Sequence, residues 1–298
     1  MNLNPSRSNI IAAIPTPFMA DGSVNVEAYV ALAKHLLSSG CNGLNLMGTT
    51  GEATSLSIVE RIQLMRDVAN SELPLDQLIV GTGSSSVSDA VVLTKTAGEL
   101  GFAGALVLPP YYYKEVSDEG VLSYIEHVVE GSKDSDVPIL LYNFPALSGV
   151  PYRLDVIKEL LARHGSRIAG LKDSSNDLEY CKNAASLSDS FAVYPSSEGS
   201  LISGSELGFA GCISATATVN SHLCSAALLD ESGGFLEKAM SVRDAYSGLP
   251  LVAAVKQTVF TSTGNPSWCE MRPPLVPLSH DQNVLLKSRL SNLSLNIE

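Results

Sequence analysis

The strongest constraint on the fold is a repeat: a short run of apolar residues followed by a stretch with helical spacing, eight times over. The runs are Asn9 to Ile14, Gly43 to Met47, Gln77 to Val80, Ala103 to Leu108, Pro138 to Tyr142, Ile168 to Leu171, Phe191 to Tyr194 and Ala210 to Ile213. Strands that are apolar at every position, rather than at alternate ones, are covered on both faces, as in a parallel sheet. The intervening stretches carry a helical stripe. Val26, Tyr29, Val30, Ala33, Leu36 and Leu37 repeat in this way until Gly40 stops them, and Ser57-Ile58-Val59-Glu60 is a capping-box pattern. Eight such units in about 230 residues fit an α/β fold of the closed (β/α)8 TIM barrel type better than an open sheet. After Asp230 the pattern is helix on helix, through Phe235 to Tyr246, Leu251 to Thr261 and Asp281 to Leu293. The expected organisation is a barrel over 1–230 carrying the active site, and a C-terminal helical segment over 231–298.

Composition narrows the function. A net charge of −12 argues against binding nucleic acid or an anionic membrane through a general basic surface, and leaves room for a local cationic pocket. Cys41, Cys181, Cys212, Cys224 and Cys269 are odd in number, far apart and without a Cys-x-x-Cys pair. That fits free thiols in a reducing cytoplasm better than a disulfide framework. The short apolar run Ile10 to Ile14, broken by Pro15 and Pro17, reads as neither a signal peptide nor a membrane span. His35, His127, His164, His222 and His280 are scattered without ligand spacing, which argues against a metal site.

In a barrel of this kind the chemistry collects where the strands end, on the βα loops. The sixth run leads straight into Lys172, with the polar cluster Asp173-Ser174-Ser175 behind it. Desolvation disfavours an ammonium, and a neutral amine attacks carbonyl carbon. The plainer alternative is a lysine snorkelling out of a strand end. Strand two ends in Gly48-Thr49-Thr50-Gly51-Glu52, which reads either as an anion cradle of backbone N–H groups and hydroxyls or as an ordinary turn. Strand four ends in Pro109-Pro110-Tyr111-Tyr112-Tyr113 and strand five in Tyr142-Asn143-Phe144-Pro145-Ala146-Leu147-Ser148-Gly149. Each tyrosine could equally be a packing residue.

Taken together, GTTGEATSL, PPYYYK, YNFPALSG and GLKDSS, in this order and spacing, resemble the pyruvate-dependent class I aldolases and lyases. That family includes dihydrodipicolinate synthase, N-acetylneuraminate lyase and the 2-keto-3-deoxygluconate aldolases. The likeness extends over essentially the whole chain, including Arg272-Pro273-Pro274-Leu275. It implies that Lys172 forms a Schiff base with pyruvate or another 2-keto acid, that Tyr142 shuttles protons there, and that Thr49 links this phenol into a relay. It implies further that Thr50 and the backbone at Gly48 hold the keto-acid carboxylate and that the carbonyl of Ile213 faces it. Tyr112 would be lent by a neighbouring subunit of a homotetramer, a dimer of dimers. No cofactor and no metal are implied.

The resemblance divides at the second substrate. Dihydrodipicolinate synthases carry an arginine where this chain has Leu147, so the 4-hydroxy-tetrahydrodipicolinate synthase reaction is the alternative and not the first choice. PALSG is closer to the N-acetylneuraminate lyase loop, whereas Pro195-Ser196-Ser197-Glu198-Gly199 departs from that of the sialic-acid lyases. The expected activity is cleavage or dehydration of a 2-keto-3-deoxy sugar acid or related hydroxy-keto acid. Leu147 would be an apolar wall, and Ser148, Ser174, Ser196, Ser197 and Glu198 would hold the hydroxylated chain. A non-catalytic keto-acid sensor or scaffold is the reading of another class.

Overall fold

A computed structural model describes residues 8–293; the outer ends of both expected segments, 1–7 and 294–298, lie outside it. The barrel strands are β1 (Asn9–Ala13), β2 (Gly43–Leu46), β3 (Leu78–Gly81), β4 (Gly104–Val107), β5 (Ile139–Asn143), β6 (Ile168–Asp173), β7 (Ala192–Pro195) and β8 (Gly211–Ser214). Strands β1 to β7 pair in parallel with their sequence neighbours, and β1 also pairs in parallel with β8. A parallel bridge between Val193 and Phe209, with Ala210 N–H donating to the Val193 carbonyl at 2.9 Å, joins β7 to β8. This is the eight-stranded TIM barrel expected from the repeat.

The helices are α1 (Val26–Ser38), α2 (Ile58–Ala69), α3 (Val87–Leu100), α4 (Asp118–Gly131), α5 (Pro145–Ser148), α6 (Leu154–His164), α7 (Leu178–Ala185), α8 (Ser200–Leu207), α9 (Ala217–Ala227), α10 (Gly234–Ala245), α11 (Leu251–Thr263) and α12 (His280–Ser291). Their ends obey local chemistry. Ser57 and Glu60 close the expected capping box on α2, Ser279 and Gln282 make another on α12, and Asn25, Ser86, Ser117 and Asp177 cap α1, α3, α4 and α7. Two helices escape the simple alternation. The four-residue α5 is too short to show a period, and α9 is interrupted by non-helical backbone at Asn220.

Alternate strand residues fill the lumen, among them Ile11, Ile79, Leu106, Leu140, Tyr142, Tyr194 and Ile213. The residues between them pack outward against the helices. One irregularity matters to the site. Ile139 pairs with Ile168 but Leu140 pairs with Gly170, so Ala169 is an extra residue, a β-bulge. Beyond it Tyr142 is in register with Lys172, and Lys172 with Tyr194. Both tyrosines face the lumen, and partners in register share a face. Gly170 is required at the bulge, because a Cβ there would stand 2.4 Å from the Ala192 carbonyl oxygen.

Helices α10 to α12 are not a separate body. Ala239, Val242, Ala254, Val255, Val259, Trp268 and Leu286 belong to one apolar core with Ile10, Leu44 and Leu46. Among the described residues, no helix is long and apolar enough to cross a membrane.

Candidate active site

β6 runs two residues past the apolar run, to Asp173, so Lys172 lies inside the strand instead of just beyond it. Asp173 fastens that end. It accepts from Asn143 Nδ2 at 2.6 Å through one oxygen and from the Ser175 N–H and hydroxyl through the other. Lys172 is 4% exposed. Its Nζ stands 4.2 Å from the centre of the Tyr142 ring and has no hydrogen bond or ion pair among the described residues. The Tyr142 hydroxyl is 3.1 Å from Thr49 Oγ1. Strands five and six and the β2 loop thus bring amine, phenol and hydroxyl together.

The β2 loop holds its shape under strain. Met47 and Glu52, on either side of Gly48–Gly51, have φ of 48° and 55°, in the left-handed region that costs an L-residue about 1 kcal/mol or more. What over-determines them is tertiary. Thr16 Oγ1 donates to the Gly51 carbonyl at 2.7 Å. The Glu52 carboxylate, fully buried, accepts from Lys256 Nζ at 2.6 Å and from the Arg272 N–H at 3.0 Å. Arg272 also donates to the carbonyls of Gly22 and Ser55 and pairs with Glu60 at 2.5 Å. That hydrogen bond holds the Glu60 carboxyl at about 2, below its ordinary 4.5. The segment Arg272-Pro273-Pro274-Leu275 is therefore a clamp on this loop.

A cavity of about 480 Å³ opens at Lys172, lined also by Thr49, Thr50, Tyr142, Leu147, Ser174, Asn176, Ser196, Ile213, Arg243, Pro274 and Leu275. An adjoining cavity of about 280 Å³ lies across Thr49, Tyr142 and Leu147, and reaches Gly48, Arg61 and Tyr111. Of the residues singled out in the sequence, Lys172, Tyr142, Thr49, Thr50, Leu147, Ser174, Ser196 and Ile213 share the first cavity. Gly48 lines only the second, because its loop turns the glycine toward Asn45; a Cβ there would meet Asn45 Nδ2 at 2.5 Å. Tyr112 lines neither and is 74% exposed on the surface, stacked edge-on against Tyr113.

Three expected contacts with a sugar chain are corrected. Ser148 lines the second cavity, but its hydroxyl is occupied with Val150, donating to its carbonyl and accepting from its N–H. Ser197 caps Gly199 and points to Met240. Glu198 is sealed at 0% exposure and turned to Thr216, Asn220 and Arg243. Arg243 itself escaped the sequence reading. It lies on α10, and no motif or spacing ties it to a barrel loop 45 residues earlier. Arg153, a basic residue beside the β5 loop, pairs with Asp118 on the surface.

Residues 6–293 match the Dihydrodipicolinate synthetase family. An uncharacterized DapA-like lyase of Chloroflexus aurantiacus is 31% identical over 285 residues, 94% of each chain. Among solved structures, dihydrodipicolinate synthase from Agrobacterium tumefaciens superposes with a TM-score of 0.89 at 28% identity, covering 96% of this chain and 99% of that one. YagE from Escherichia coli K12, a prophage protein of the dihydrodipicolinic acid synthase family solved with pyruvate, superposes at 0.86 and 26% identity, covering 97% and 99%. The match of motifs, barrel and near-complete length leads to one conclusion: the chain belongs to the dihydrodipicolinate synthetase family.

Proposed function

We propose that this protein is a class I lyase or aldolase in which Lys172 forms a Schiff base with the keto carbon of pyruvate or a longer 2-keto acid. The observation that carries this reading is the state of Lys172: buried, facing a cavity, its nitrogen occupied by no carboxylate or carbonyl among the described residues, with the Tyr142–Thr49 pair beside it. The pyruvate held by YagE supports it. Lys172 Nζ adds to the C2 carbonyl, and loss of water gives the iminium. In a 4-hydroxy-2-keto acid the C3–C4 bond then breaks, its electron pair moving into the iminium as an enamine. Tyr142 takes the proton of the C4 hydroxyl as the aldehyde departs. That proton goes to C3, and water releases pyruvate and restores the amine. Thr49 passes protons to and from the phenol, and Thr50, with its neighbouring backbone, holds the C1 carboxylate.

The substrate class follows from Leu147. A leucine in the cavity wall offers no bidentate grip on a distal carboxylate, a contact of about 2–4 kcal/mol in a desolvated pocket. Aspartate semialdehyde is therefore a poor partner, and a 2-keto-3-deoxy sugar acid or related hydroxy-keto acid the preferred one. The synthase reaction is the second reading, favoured by the likeness to the Agrobacterium enzyme. Tyr112, exposed in the single chain, fits donation to a neighbour's site in a cytoplasmic homotetramer.

Sodium borohydride reduction with pyruvate, followed by peptide mapping, tests the mechanism. The expected adduct is on Lys172. No adduct, or one on Lys114 or Lys256, would sink the Schiff-base reading.

A further inference from the structure

Arg243 is anchored by one nitrogen. Its Nη1 has four acceptors: the Ser196 carbonyl and Glu198 Oε2 at 3.0 Å, Thr216 Oγ1 at 3.1 Å and Ser214 Oγ at 3.2 Å. They fix the plane of the guanidinium. A guanidinium has five N–H donors in a rigid fork, of which Nη1 carries two. The other three, on Nε and Nη2, make no hydrogen bond among the described residues. The side chain keeps 26% of its surface accessible and lines the Lys172 cavity with Ser174, Asn176 and Ser196. A fixed group with idle donors in a ligand-sized cavity is built to meet acceptors on a ligand.

The charge of the site says which acceptors. Glu198 is completely buried, and its carboxylate is completed from the protein alone: Thr216 at 2.5 Å and Asn220 at 3.4 Å on one oxygen, Arg243 on the other. Glu198 and Arg243 together carry no net charge. A second carboxylate placed on this arginine would share one cation with Glu198 and leave a negative charge short of a partner in a desolvated pocket. Hydroxyl oxygens accept from the same N–H groups without that cost.

We infer that Arg243, neutralised by Glu198, is the specificity residue for the far end of the substrate, donating from Nε and Nη2 to the hydroxyl oxygens of an uncharged polyhydroxylated tail and discriminating against a tail that ends in a carboxylate. The inference rests on the Schiff-base reading for the near end of the substrate. It gives Glu198 an electrostatic role: its charge decides what the arginine accepts.

Two acids that differ only at C6 test this: 2-keto-3-deoxygluconate, with a terminal hydroxyl, and 2-keto-3-deoxyglucarate, with a carboxylate. The unmodified protein should favour the first by at least about tenfold in kcat/KM, the selectivity of one uncompensated polar contact. Glu198→Gln unmasks the cation and should raise the glucarate-to-gluconate ratio by about tenfold or more. Arg243→Gln leaves Glu198 unneutralised and should move the ratio the opposite way, while raising KM for the gluconate about tenfold. Should Glu198→Gln fail to fold, the Arg243→Gln ratio decides alone. A merely structural Arg243 would depress both acids equally. An unchanged ratio, or a preference for the glucarate in the unmodified protein, overturns the inference. Borohydride trapping with pyruvate on the same samples separates the failures: an adduct on Lys172 with an unchanged ratio sinks only the role of Arg243, and no adduct in the unmodified protein sinks both.

Discussion

Among the described residues two lysines are buried, each over an aromatic ring, and they have opposite characters. Lys172, in β6, is 4.2 Å from the Tyr142 ring centre; Lys256, in α11, is 4.5 Å from that of Phe18. Lys256 has every donor direction in use: the Glu52 carboxylate at 2.6 Å, the Glu270 carbonyl and the ring. Burial pushes its ammonium below the ordinary value while Glu52 pulls back. Lys172 has the ring and an open cavity. Burial alone therefore does not make a lysine a nucleophile; what distinguishes the two is whether the surrounding protein has already used the nitrogen.

Exchanging each lysine for methionine tests that contrast with the largest effects. Lys172→Met should cut turnover by about 10⁴-fold or more and abolish the pyruvate adduct, with a thermal midpoint near that of the parent. Lys256→Met leaves Glu52 buried without its cation and should lower stability by about 3–5 kcal/mol in denaturant titration. Adduct formation on Lys172 should survive wherever that variant is folded. A Lys256→Met protein as stable as its parent would show that the pair is not the brace described here.

Tyr142→Phe sharpens the comparison next. The ring under Lys172 stays and the hydroxyl goes, so stability should hold while kcat falls by about 10²-fold or more. Near-normal kcat would reduce Tyr142 to the packing role that Phe18 has under Lys256.

The smallest effect lies at the edge of the same clamp. The Glu60 carboxyl, held at about 2 by Arg272, contributes stability that is fully present above its ordinary 4.5 and lost as pH falls through about 2. Being partly exposed, the pair is worth less than about 1 kcal/mol. Glu60→Gln should open a small gap from the parent at pH 7 that closes by pH 2. A gap independent of pH would assign the loss to packing.

The barrel was legible because a doubly covered strand must be apolar throughout, and eight such runs admit few arrangements. Lys172, Tyr142 and Thr49 were legible because each ends a strand, where a polar residue after an apolar run stands out. Arg243 was not: its partners Ser196, Glu198, Ser214 and Thr216 lie at and beyond the ends of β7 and β8, and nothing local marks the arginine itself. The inward turn of Glu198 is not legible either, because sequence does not reveal which way a loop carboxylate turns. The Lys256–Glu52 pair spans 204 positions and is invisible to any periodicity.

The bulge at Ala169 carries a consequence for how this strand tolerates change in length. Ile168 and Leu171 both face outward, which strict alternation over three positions forbids; the extra residue restores parity and lets Lys172 face inward. The lumen counts residues in twos. Removing Ala169 itself regularises the ladder and keeps Tyr142 opposite Lys172. Removing Leu171 likewise leaves Lys172 three positions from Ile168 and facing inward without a bulge, whereas inserting one residue between Gly170 and Lys172 with the bulge kept reverses the parity and turns the lysine into the helical shell. Single-residue changes in β6, read by pyruvate trapping, should therefore divide by sign: removing Ala169 keeps the adduct on Lys172, and inserting a residue after Gly170 abolishes it.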